Sequence, residues 1–205
     1  MSLTLTVIID EDQVQVMKEQ GFNLFLAKLV QDQDKANVIW KSKSAFYYSN
    51  KFQWEPVFSI SGSESVEPGA LVSASTKVKP IGYGQSIEID KDGNITDPSG
   101  PVTPGKAFRL TNKDTKNNTA TVYAADQTKP RADLAPFFVS KGLEEDFNSV
   151  DILPIETVVL WFGQAQEAGT IIAGYSGPSC KVFYGNGDSK RTVEWTKDGT
   201  WEQVD

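Results

Sequence analysis

Apolar residues recur at alternate positions along short stretches of this chain, the period of half-buried β-strands. Residues 3–9 are rich in β-branched side chains and alternate, with Leu3, Leu5, Val7 and Ile9 on one side and Thr4, Thr6 and Ile8 on the other. Asp10-Glu11-Asp12-Gln13 then reads as a helix start: Asp10 can accept from backbone N–H groups and Gln13 stands at the capping-box position. The acids also suit the positive end of the helix dipole. Val14 and Met17 share a face, and Gly21 supplies a left-handed residue to stop the helix. This is the one helix the pattern predicts. Strand-like spacing resumes over 22–30.

From there strands and turns alternate at short intervals. Strands are expected over 36–41, 52–61, 71–80, 86–90, 107–111, 119–124, 136–140, 156–162, 170–173, 181–184, 192–196 and 200–204. Val158, Leu160 and Phe162 on one side and Val159 and Trp161 on the other make a run apolar on both faces, so that strand should be central. Lys91-Asp92-Gly93 and Lys197-Asp198-Gly199 each place Asp before a Gly that can take φ > 0, as hairpin turns require. A three-residue loop at the second would set Trp195 opposite Trp201. The fold class that follows is all-β: an antiparallel β-sandwich with one short N-terminal helix. Residues 1–205 read as a single domain, with the Pro/Gly-rich 97–105 as an inter-sheet connection instead of an interdomain linker.

Composition narrows the function classes. The chain carries 20 Lys and Arg against 27 Asp and Glu, a formal charge of −7, which repels phosphate backbones and argues against nucleic acid. Lys41, Lys43 and Lys51 are the longest basic grouping. With a single cysteine, Cys180, no intramolecular disulfide can form, and that residue is expected in the core. The apolar start has no basic segment or cleavage site of a signal peptide, and no run approaches the roughly 20 residues of a membrane helix. The expectation is a cytoplasmic protein, or one released without a classical signal. The sequons at Asn94 and Asn117 matter only in the second case. Nothing in the sequence fixes the oligomeric state, and a homo-oligomer stays open.

The chain contains no histidine. That removes Ser-His-Asp and Cys-His catalysis and His-ligated metal centres together, so no cofactor and no metal ligands are expected. Gly174-Tyr175-Ser176-Gly177 falls one residue short of a nucleophile elbow, and Gly82-Tyr83-Gly84 is a dinucleotide fingerprint without its remainder. Asp90-Lys91-Asp92-Gly93-Asn94 opens like an EF-hand loop but meets Pro101 where a bidentate Glu belongs. Paired carboxylates could still hydrolyse glycosides, with Glu144, Glu145, Asp146 and Asp151, or Glu64 and Glu67, as the candidates.

Three features could carry binding. Trp40, Phe46, Tyr47, Tyr48, Phe52 and Trp54 concentrate rings between polar residues, and three consecutive aromatics cannot all face inward. The Asn-rich loop 111–119 could hydrogen-bond sugar hydroxyls. The alternation of 71–90 resembles the amphipathic hairpins that β-pore-forming toxins insert, although any half-exposed sandwich hairpin alternates in the same way. The expectation is a non-enzymatic, lectin-like module for a carbohydrate or cell-surface ligand, using Tyr47, Tyr48, Asn50, Asn112 and Asn117. The alternatives are a membrane-acting defence, insecticidal or pore-forming protein contacting lipid through 71–90, and a carboxylate-only glycoside hydrolase.

Overall fold

The computed structural model describes residues 2–64, 67–126, 133–143, 148–185 and 187–204. The strands are β1 (Leu3–Ile9), β2 (Phe22–Val30), β3 (Lys41–Lys43), β4 (Ser49–Trp54), β5 (Phe58–Ser63), β6 (Lys79–Ile81), β7 (Ser86–Ile89) and β8 (Phe108–Asn112). They continue with β9 (Thr119–Asp126), β10 (Asp133–Val139), β11 (Asn148–Ile152), β12 (Pro154–Gln164), β13 (Ser179–Phe183), β14 (Lys190–Trp195) and β15 (Trp201–Gln203). Helix α1 spans Glu11–Glu19.

Four sheets pack together, ordered β15-β14-β1-β4, β10-β9-β5-β6, β11-β8-β7 and β13-β12-β2-β3. The class is all-β and sandwich-like with one short helix. Most pairs are antiparallel, but β1 runs parallel to β14 and β7 parallel to β8. The first pairing joins Thr4 to Lys190 and Ile9 to Trp195, so the two ends of the chain share a sheet. The second places 97–105 within the return connection between two neighbours of one sheet, where a connection between sheets was expected.

The central strands carry the core. Along β1, Leu3, Leu5, Val7 and Ile9 are buried while Thr4, Thr6 and Ile8 are partly exposed. Strand β12 lies between β13 and β2, central as its sequence requires. Leu24 and Leu26 join Val158, Leu160 and Phe162 in a main core that draws on all four sheets. Phe25, Ala27 and Leu29 pack with Val159 and Trp161 on the opposite face. Both layers of this sheet are therefore covered, which explains runs without polar alternation.

A charge pair enters that interior. Lys28 is fully buried, with Nζ 5.1 Å from the Trp40 ring centroid and 5.0 Å from that of Trp54. Glu156 Oε2 lies 3.5 Å from the ammonium and accepts from Trp54 Nε1 at 3.5 Å. Burial pushes the Lys28 pKa down, and the Glu156 carboxylate acts against that shift.

Helix α1 starts and stops as its sequence predicts. Asp10 Oδ1 accepts from the N–H groups of Asp12 and Gln13, and Gly21 takes φ +69°. Gln13 does not close a capping box, because the Asp10 N–H already donates to the Trp195 carbonyl. Instead its amide accepts from Trp195 Nε1 and donates to the Lys197 carbonyl, tying the helix to the last hairpin. In that hairpin Gly199 has φ +71° and Trp195 pairs with Trp201, their ring centroids 4.9 Å apart.

Several expected strands differ. The stretch 52–61 is two strands in different sheets, broken at Glu55-Pro56-Val57, where Pro56 has no N–H to offer a ladder. Segments 36–40, 71–78 and 170–173 form isolated bridges such as Val38–Ile171, Leu71–Thr170 and Ser63–Ala74. Strands β6 and β7 belong to different sheets and do not pair, so 71–90 forms no hairpin. Over 71–78 the alternation buries no face: Leu71, Ala74 and Val78 are exposed, and Val72 and Thr76 are half-buried.

Candidate functional site

The turn between β3 and β4 carries the chain from one sheet to another, and the three consecutive aromatics divide there. Phe46 points into the core, edge-on to Phe162 with centroids 5.4 Å apart. Tyr47 and Tyr48 are left 61% and 53% exposed. Trp40, Phe52 and Trp54 are buried. Two adjacent rings in water are an anomaly that a one-ring exception would not be.

The turn is held from below. Asn50 Oδ1 accepts from the Tyr47 N–H at 3.0 Å, and Asn50 Nδ2 donates to the Tyr47 carbonyl at 2.6 Å and to the Val7 carbonyl at 3.4 Å. The Tyr48 carbonyl accepts from the Ile9 N–H at 2.8 Å. Both tyrosine backbones are therefore fixed to β1 or β4, so little ordering is left to be done when a ligand arrives.

A cation lies beside the first of these rings. Lys18 of α1 places Nζ 5.0 Å from the Tyr47 centroid and 5.6 Å from that of Phe46. Lys43 lies 5.7 Å from the Phe52 ring, and partial burial lowers its pKa. Lys51 projects from the exposed side of β4, opposite Thr6 of β1. No carboxylate among the described residues forms an ion pair with Lys18, Lys43 or Lys51. Lys41 is not part of this surface: it is buried, its ammonium 4.3 Å from the Trp40 centroid. The basic grouping read from sequence thus loses Lys41 and gains Lys18, a residue that only the packing of α1 brings near.

No protein family, curated protein or solved structure matches this chain.

The amides assigned to ligand binding separate. Asn50 is buried and spent on the turn, so it supplies no ligand contact. Asn112 is also buried: Nδ2 donates to the Lys116 and Leu143 carbonyls, and Oδ1 accepts from the Asp114 N–H and from Asn118 Nδ2. Such groups keep a polar turn satisfied once it is out of water. Asn117 is exposed and packs on Gly142, where a Cβ would come within 2.6 Å of its Oδ1. It belongs to the β8–β9 loop, in a different sheet from the tyrosine turn, and no hydrogen bond among the described residues links the two loops.

Catalytic candidates gain little support from their surroundings. Glu144, Glu145 and Asp146 lie outside the described residues. Asp151 accepts a bidentate pair from Arg109, two bonds of 2.6 Å that hold its carboxyl below the usual aspartate range. A general acid needs the opposite shift. Glu64 and Glu67 are exposed. The Cys180 thiol is buried and pushed up by desolvation, away from thiolate chemistry. Among the described residues no group of His, Cys, Asp and Glu is placed to hold a metal, and no helix is long and apolar enough to cross a membrane.

Proposed function

We propose that the protein is a non-enzymatic, lectin-like binding module whose ligand is an acidic carbohydrate presented on a surface. The observation that carries this reading is the pair of exposed rings, Tyr47 and Tyr48, on a turn clamped by Asn50, with the Lys18 ammonium 5.0 Å from the Tyr47 ring centroid. Tyrosine offers a flat apolar face to sugar C–H groups and a hydroxyl to their oxygens. The cations supply attraction for uronate, sialate or sulfate groups, on a chain whose overall charge would repel them. Hydrogen bonds would come from Ser44, Ser49 and the lysine ammoniums, since Asn50 and Asn112 are committed elsewhere.

The test is binding to glycans bearing those anionic groups, with neutral glycans as reference, across a range of salt. Affinity should fall as salt rises, because Lys18 and Lys51 are exposed. Lys18→Glu should weaken it by about tenfold. Equal binding of neutral and acidic glycans, unmoved by salt, would sink the assignment.

A second reading rests on the same patch: tyrosines and lysines also suit the headgroup layer of an anionic membrane. Liposome binding without a glycan requirement would favour it. The pore-forming version has less to support it, because β6 and β7 lie in different sheets and 71–90 forms no hairpin in this fold.

A further inference from the structure

A cleft of about 410 Å³ opens between α1 and the ends of β12 and β14, and none of its lining residues is named above as a ligand contact. Its walls are Met17, Phe22, Phe162 and Trp195, with Gln164 and Ser176 at the mouth. That volume falls in the range of small-molecule sites, which are apolar with a few polar groups at the edge.

The wall is braced. Phe162 stacks on Trp201 with centroids 5.6 Å apart and planes 9° from parallel, and Trp195 packs against both rings. The polar edges of the two indoles are already occupied, Trp195 Nε1 by Gln13 and Trp201 Nε1 by the Pro178 carbonyl. What these side chains turn to the cleft is apolar; Met17, Phe162 and Trp195 are otherwise buried in the core, and Phe22 is half-buried. At Gly177, on the lining, no atom lies within 4 Å of the position a Cβ would take.

Its chemistry sets the ligand class. No ionisable side chain lines the cleft, so an ion entering it would lose hydration without a partner. Gln164 and Ser176 are exposed at the mouth, and their side chains make no hydrogen bond with another described residue. They are free to bond the edge of a ligand whose faces lie against the rings. We infer that this cleft binds a small, uncharged, ring-containing compound with apolar faces and a hydrogen-bonding edge. The cleft shares no lining residue with the tyrosine turn.

The probe is N-phenyl-1-naphthylamine, a neutral fluorophore with apolar rings and one N–H. Titration of the intact protein should give saturable enhancement of probe emission and quenching of tryptophan emission, since Trp195 forms the wall. Ser176→Trp and Gln164→Trp each place an indole at the mouth, on exposed positions that leave the core unchanged. Each should weaken probe binding by at least about tenfold with an unchanged unfolding midpoint. Tyr47→Ala should bind the probe as the wild type does. Absence of saturable binding, or binding unaltered in both mouth variants, would overturn the inference.

Discussion

Asn50 holds both backbone polar groups of Tyr47, accepting from its N–H at 3.0 Å and donating to its carbonyl at 2.6 Å. An amide that reads as a ligand contact in sequence is here the clamp of the surface that would meet the ligand. Asn50→Ala should therefore cost stability, about 1–3 kcal/mol, because buried backbone groups lose their partners. It should also weaken glycan binding although Asn50 touches no ligand. Denaturant unfolding alongside binding checks both, and a variant as stable as wild type would show that the clamp carries no energy.

Lys28 and Glu156 form the interior charge pair, with the lysine fully buried. Glu156→Gln leaves the ammonium among Trp40 and Trp54 without its counterion and should destabilise by about 3–5 kcal/mol. Lys28→Met combined with Glu156→Gln should recover part of that loss, because the stranded charge is gone. Urea unfolding of the two variants decides it. A double variant worse than the single would mean that the pair stabilises beyond its cost of desolvation.

Tyr83 gives a pH dependence with a defined sign. Burial, and then the nearby Glu156 charge, raise its pKa from 10.0 to about 12. Between these values the unfolded chain releases the phenol proton while the folded chain keeps it, so folding stability falls as pH rises. Tyr83→Phe should lose this part of the slope, measured as the difference between the two unfolding midpoints from pH 10 to 12. Parallel curves would place the titration elsewhere.

Trp161 is buried between Phe25, 5.4 Å away, and a stacked Tyr175, 4.7 Å away. Trp161→Ala should cost roughly 3–5 kcal/mol, read from the denaturant midpoint. A change near zero would mean that the second core face contributes nothing to holding the sheet.

Local chemistry was legible wherever neighbours in sequence decide the structure. The cap at Asp10, the turn at Gly199, the Trp195–Trp201 pair and the double-faced run of β12 all follow from spacing alone. The parallel pairing of β1 with β14 was not legible, because nothing local distinguishes a parallel partner far along the chain from an antiparallel one nearby. Alternation also misled at 71–78, where the backbone makes isolated bridges to Ser63 and Thr170 and most side chains are exposed. At the candidate site the exposed tyrosines were readable because three successive rings cannot all be buried. The roles of Asn50 and Asn112 were not, since an amide in a turn looks alike whether it serves a ligand or the backbone. Lys18 joins the patch only through the packing of α1.

The most direct measurement compares wild type with a Tyr47→Ala, Tyr48→Ala double variant for binding to uronate-, sialate- and sulfate-bearing glycans. Both rings are largely exposed, so the variant should unfold at nearly the same midpoint. Saturable, salt-sensitive binding by the wild type is expected, with a loss of at least about tenfold in affinity in the variant. Equal binding by both proteins, or no binding of any acidic glycan by the wild type, would contradict it.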